Sequence, residues 1–152
     1  MANPLGLSSV MDGQALSFGA QSTVESVPVS PVVGGVAGYN VTTAGANGVA
    51  SVQPNVAGVY RLTAYLVTNN GTTPSVTSLA ATFNDGNSKA AQTVYFAETT
   101  AGTALNAASL ANGTYTCTPL TVFADPSASI VVTYTAANTP NDHITVVIEQ
   151  LA

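Results

Sequence analysis

The chain reads as an all-β protein, a sandwich or barrel of short strands. Three observations carry that reading. Thr, Val and Tyr are abundant, and they suit a pleated, half-buried surface. Asn47-Gly48, Asn70-Gly71, Asp85-Gly86 and Asn112-Gly113 place turn signals between apolar runs. Short strands separated in this way build sandwiches and barrels rather than parallel sheets.

The first third of the chain has a different character. Pro4, Pro28 and Pro31 interrupt it and its alternation is weak. Proline cannot donate to a sheet ladder, so residues 1–35 read as an extended N-terminal arm. Gly34, Gly35 and Gly38 fall within residues 32–38, which read as a flexible joint or a tight bend. Residues 36–152 form the compact domain.

Within that domain the clearest strand runs from Val59 to Thr68. Tyr60, Leu62, Ala64 and Leu66 fall on one face, and Arg61, Thr63 and Tyr65 on the other. Ser75 to Phe83 and Ala90 to Thr99 flank Asp85-Gly86-Asn87-Ser88, the pattern of a hairpin. Ala104 to Ala111 offers two turns of helix, but a helix so short does not stand alone, and the segment fits loop or strand equally. Leu120 to Phe123, Ser129 to Thr135 and His143 to Leu151 are three further strands. In the last, Ile144, Val146 and Ile148 alternate with Thr145, Val147 and Glu149.

Composition bounds the function. The 152 residues suffice for one domain with a real core, and 46% hydrophobic content argues against general disorder. Only 6% of residues are charged, where a soluble domain typically carries about 25%. A face of Thr and Asn can be buried against a partner by exchanging hydrogen bonds; ions must be paired or neutralised first. Low charge therefore points to assembly. A net charge of -5 with two cations disfavours nucleic acid and a polybasic membrane contact. The N-terminus shows no signal-peptide pattern, so synthesis in a cytoplasm is expected, and the sequons at Asn40, Asn70 and Asn112 read as chance. Cys117, a lone cysteine in a Thr-rich strand-like run, reads as a buried small hydrophobe.

Candidate chemistry is sparse. Asp142 and His143 form the only Asp-His pair, but no nucleophile elbow accompanies them. They read as part of a solvated turn before the last strand. Seven scattered carboxylates show no spacing that pairs two of them for glycoside hydrolysis. One His and one Cys cannot build a zinc site within one chain, and neither Asp12 nor Asp85 belongs to a calcium-loop pattern. No enzyme activity, metal or cofactor is expected. Arg61, amid the strongest strand, calls for a carboxylate on a neighbouring strand.

With the strands placed, a family likeness emerges. Pro54-Asn55-Val56-Ala57-Gly58-Val59-Tyr60-Arg61-Leu62 resembles the Pro-x-x-Gly-x-Tyr lead into a central strand of C1q/TNF-like jelly rolls. The segment Leu120 to Tyr134 resembles the later hairpin of that fold. The likeness spans residues 50–152 and departs from the family in the last strand, which lacks the usual Phe-Gly. It implies a jelly-roll β-sandwich, with Gly58 starting a strand, Tyr60 packed inside and the final strand in the middle of the inner sheet. The whole sequence is also similar in style to small virion proteins of tailed bacteriophages: Thr/Ala-rich, almost chargeless, with Gly58-Val59-Tyr60-Arg61 and an ending of the type Val147-Ile148-Glu149-Gln150-Leu151.

That likeness implies a capsid decoration or cement protein on the virion surface, a homotrimer whose partner is the major capsid protein. The expected trimer contact draws on Tyr60 or Tyr65 with Val147 or Ile148, because both strand faces carry apolar groups. The arm would meet the capsid through Leu5, Leu7, Val10, Leu16 and Phe18. The alternative is a receptor- or glycan-binding head of a tail fibre, or another minor virion structural protein. Tyr39, Tyr95 and Tyr115 are the only loose candidates for a glycan site.

Overall fold

A computed structural model describes residues 32–69, 75–87, 90–136 and 141–151. Ten strands follow in order: β1 (Val32–Val41), β2 (Gly45–Val52), β3 (Gly58–Thr68), β4 (Ser75–Phe83), β5 (Gln92–Tyr95), β6 (Asn106–Leu110), β7 (Gly113–Thr116), β8 (Leu120–Ala124), β9 (Ile130–Ala136) and β10 (Asp142–Gln150). They form two antiparallel sheets. The first sheet has the order β1-β10-β3-β7, with β8 also on β3. The second has the order β2-β9-β4-β5, with β6 also on β4.

Alternation explains the two layers. On β3, Tyr60, Leu62, Ala64 and Leu66 are buried, as their spacing requires. Ile144, Val146 and Ile148 of β10 meet them within the same sheet. From the second sheet come Leu79, Ala81 and Phe83 of β4 and Ile130, Val132 and Tyr134 of β9. Gly58 opens β3, Tyr60 is 1% exposed, and its hydroxyl donates to the Val56 carbonyl at 3.0 Å. The last strand lies between β1 and β3, inside its sheet.

Several expectations change. The glycine-rich segment is neither a joint nor a bend but part of β1, including residues 32–35 from the expected arm. A Cβ on Gly34 would sit 1.9 Å from Val52 Cγ2, and one on Gly35 would sit 2.1 Å from the Val146 carbonyl oxygen. The glycines thus let β1 press against β2 on one side and β10 on another. The β1–β10 ladder breaks twice, between Val32 and Gly34 and between Val36 and Tyr39. Asn47-Gly48 is also no turn; both residues pair with β9, and a bulge follows between Gly48 and Ala50. Within Ala104 to Ala111, which fits helix, loop or strand by sequence, Asn106–Leu110 is strand β6, paired with β4. The fifth strand is shorter than Ala90 to Thr99: beyond Tyr95 the ladder gives way to single backbone bonds at Phe96 and to isolated bridges, Ala97 to Ala104 and Glu98 to Cys117.

Candidate assembly surface

The outward face of the first sheet is built from side chains that alternate with the core positions. Its rows follow from the register. Glu149 stands beside Arg61, which stands beside Thr121; Val147 stands beside Thr63; Thr145 beside Tyr65 and Thr116; His143 beside Val67 and Thr114; Val59 beside Phe123. The only charged side chains in these rows are Arg61 and Glu149. They bind each other through two contacts, Nε to Oε2 at 3.2 Å and the second guanidinium nitrogen to Oε1 at 3.1 Å. The carboxylate that Arg61 requires therefore comes from β10, within the same chain.

Two open hollows mark this face. One of about 420 Å³ lies over the β1–β10 seam, lined by Val33, Gly35, Ala37, Thr145 and Val147. Its neighbour, of about 210 Å³, is lined by Thr63, Tyr65, Thr145 and Val147. Thr145 and Val147 belong to both. The missing side chain of Gly35 helps to open the first.

The structure divides the four residues expected at a trimer contact. Tyr60 and Ile148 are 1% and 0% exposed, held in the core, so neither reaches a partner. Tyr65 is 42% exposed and Val147 is half-buried on the outward face. The arm residues Leu5, Leu7, Val10, Leu16 and Phe18 lie outside the described residues, as do Asp12, Glu25 and Lys89.

Every charged residue among those described has a partner inside the chain. Asp125 Oδ1 accepts from the Ser127 amide at 2.8 Å, and Asp85 Oδ1 from the Asn87 amide at 3.0 Å. Glu98 accepts from the amides of Ala101 at 2.8 Å and Thr100 at 2.6 Å, which ties down the turn after it. Those bonds, the Ala101 amide first, hold the Glu98 carboxyl below its ordinary value. The Ser127 hydroxyl, then its amide, does the same for Asp125. Glu98 carries no sequence signal: it is a turn anchor, 7% exposed, in a segment whose residues show no period.

Asp142 corrects the reading of a solvated turn. It is 0% exposed, the first residue of β10, and receives the Tyr134 hydroxyl on Oδ2 and the Asn69 amide on Oδ1 at 2.9 Å. His143 follows it on the strand and is exposed on the opposite face, so the two side chains diverge. Cys117 is buried; loss of solvent, then the nearby Glu98 charge, push its thiol up to about 11. Of the loose tyrosines, Tyr39 and Tyr115 pack against the core and Tyr95 is 43% exposed.

Together these observations define an all-β sandwich of two antiparallel sheets with an ion-poor exterior. No protein-family model, curated protein or solved structure matches the chain.

Proposed function

We propose that the chain is a structural protein of a tailed-bacteriophage virion, a decoration or cement protein that binds the outside of the capsid and stabilises it. One observation carries the reading: among the described residues, the outward face of the first sheet has no Asp, Glu, Lys or Arg except the mutually paired Arg61 and Glu149. Such a face loses water at little cost, since its Thr hydroxyls can exchange hydrogen-bond partners. Tyr65 and Val147, beside the hollows, supply apolar contact. The strand orders β1-β10-β3-β7 and β2-β9-β4-β5 support a jelly-roll reading of the sandwich.

In this reading three copies meet through the face bearing Tyr65 and Val147, and residues 1–31 bind the major capsid protein. No bond is made or broken. Each copy adds a modest contact, and trimerisation raises the effective concentration of the remaining arms at the shell. The test removes residues 1–31, leaving β1 whole, and measures coating of expanded capsids by sedimentation. The expected result is loss of coating by a domain that still folds. Coating equal to that of the full chain would overturn the arm's role. Light scattering that finds a monomer at micromolar concentration would overturn the trimer.

A further inference from the structure

In the fifth strand every residue beyond Gln92 is exposed: Thr93, Val94 and Tyr95 each face solvent. In a sandwich one face of every strand should be covered, so β5 stands proud of the core. Val94 and Tyr95, on opposite faces, are 36% and 43% exposed. The strand pairs with β4 on one side, and among the described residues no strand pairs with the other.

Backbone parity identifies the groups left open. The Phe96 amide donates toward β4, to the Leu79 carbonyl, at 3.0 Å. In an antiparallel ladder, alternate residues direct both their N–H and C=O to the same side. Val94 and Gln92 therefore point at β4, and Thr93 and Tyr95 point at the open edge.

We propose that this edge pairs with the same edge of a second copy, antiparallel, about a two-fold axis through Val94. That register sets Thr93 against Tyr95 of the second copy and Tyr95 against its Thr93. All four outward backbone groups of each strand are then satisfied. Charge selects this occupant. A two-fold axis brings each residue near its own copy, so any ion close to the axis repels itself. In a chain of net charge -5, Gln92 to Tyr95 carries none. The cross-strand neighbours are also favourable: a β-branched residue beside an aromatic ring on one face, and valine beside valine on the other. Several other edges are less suited. The ladders of β1, β2 and β6 are bulged, and Ala97 and Thr99 already bond to the chain at Thr118 and Thr116, beside β7. With only four residues, the contact is weak in dilute solution and gains where copies are crowded.

Sedimentation velocity from micromolar to millimolar concentration tests the pairing. The expected result is a mass that grows with concentration through this edge, doubling where the dilute species carries one such edge. Thr93→Pro removes an edge-facing N–H without touching the β4 ladder, and Val94→Lys puts like charges at the axis; both should abolish the growth. Val147→Lys tests the trimer separately and should leave the growth intact. A wild-type mass independent of concentration, or growth that survives both β5 substitutions, would overturn the proposal. Amide exchange on the unaltered chain gives a second readout, free of folding defects in the variants. Protection at Thr93 and Tyr95 should rise with concentration, and unchanged protection would overturn the pairing.

Discussion

The outward faces of the two sheets are both poor in ions and present different surfaces. The first sheet shows Tyr65, Phe123 and Val147, two hollows, and a salt bridge that cancels its only ions. The second shows Ser78, Thr82, Val131, Thr133 and Thr135 in adjoining rows around the buried Ala80, with no charged residue among them. The difference lies in side-chain size. Rings and hollows suit interlocking contact with a shaped partner, whereas short hydroxyl and methyl side chains make a smooth layer. On the smooth sheet, large exposed apolar groups occur at its rim, on β5. Low charge alone therefore does not distinguish the two faces; relief does.

The strongest way to break the contrast is to cut the tie between the sheets. Asp142 begins a strand of the first sheet and accepts the hydroxyl of Tyr134 from the second. Asp142→Ala removes the acceptor of that hydroxyl and of the Asn69 amide, each a loss of about 1–3 kcal/mol when buried. Urea unfolding should show a matching fall in midpoint, while Asp142→Asn retains part of the stability. The next test compares one glycine from each sheet. Gly35→Ala drives a Cβ against the Val146 carbonyl at a φ of 141° and should cost about 1–3 kcal/mol in thermal melts. Gly48→Ala meets nothing within 4 Å and should be neutral or slightly stabilising.

A sharper comparison leaves the fold alone. Val147→Lys and Thr133→Lys place the same charge on the two outward faces. Both should melt within about 0.5 kcal/mol of the parent, as surface changes do. Only Val147→Lys should lower the mass seen by light scattering; equal effects from the two would erase the distinction between the faces. Smaller still is the salt bridge. Arg61 is 44% exposed, so solvent screening limits the pair with Glu149 to about 0–1 kcal/mol in a double-mutant cycle.

The pH response separates the turn anchors from the core thiol. The Glu98 and Asp125 carboxyls are lowered, so their contribution is present above the ordinary carboxylate range and is lost as pH falls through their folded values. The Cys117 thiol is raised to about 11, so the stability of its neutral form is full below the unfolded value and is lost as pH climbs toward about 11. Stability followed by fluorescence should decline at both ends. Native Cys117 should resist iodoacetamide at pH 8, because its thiolate is scarce and buried.

Much of the fold was legible because strict alternation reports burial directly. Tyr60 to Leu66 and Ile144 to Ile148 announce their core face, and Arg61 announces a partner strand. Where side chains are small the signal vanishes. The glycines of β1 and β2 have no hydrophobicity to alternate, so close approach looked like flexibility, and Asn47-Gly48 looked like a turn. The Ala-rich β6 suits helix and strand alike until β4 lies beside it. The candidate contact residues were half legible: alternation divides Tyr60 from Tyr65 and Val147 from Ile148, but only the second sheet decides which pair is covered. Glu98 and Asp142 were hidden because their roles depend on amides and a hydroxyl distant in sequence or set by a turn.

The internal pairing of every described charge has a consequence for ionic strength. Dissolved salt weakens contacts by screening ions, over a Debye length of about 8 Å under physiological conditions. On these faces the only ions already neutralise each other at bonding distance, and the surrounding rows offer none to screen. Contacts made through them should therefore lose little strength as salt is added.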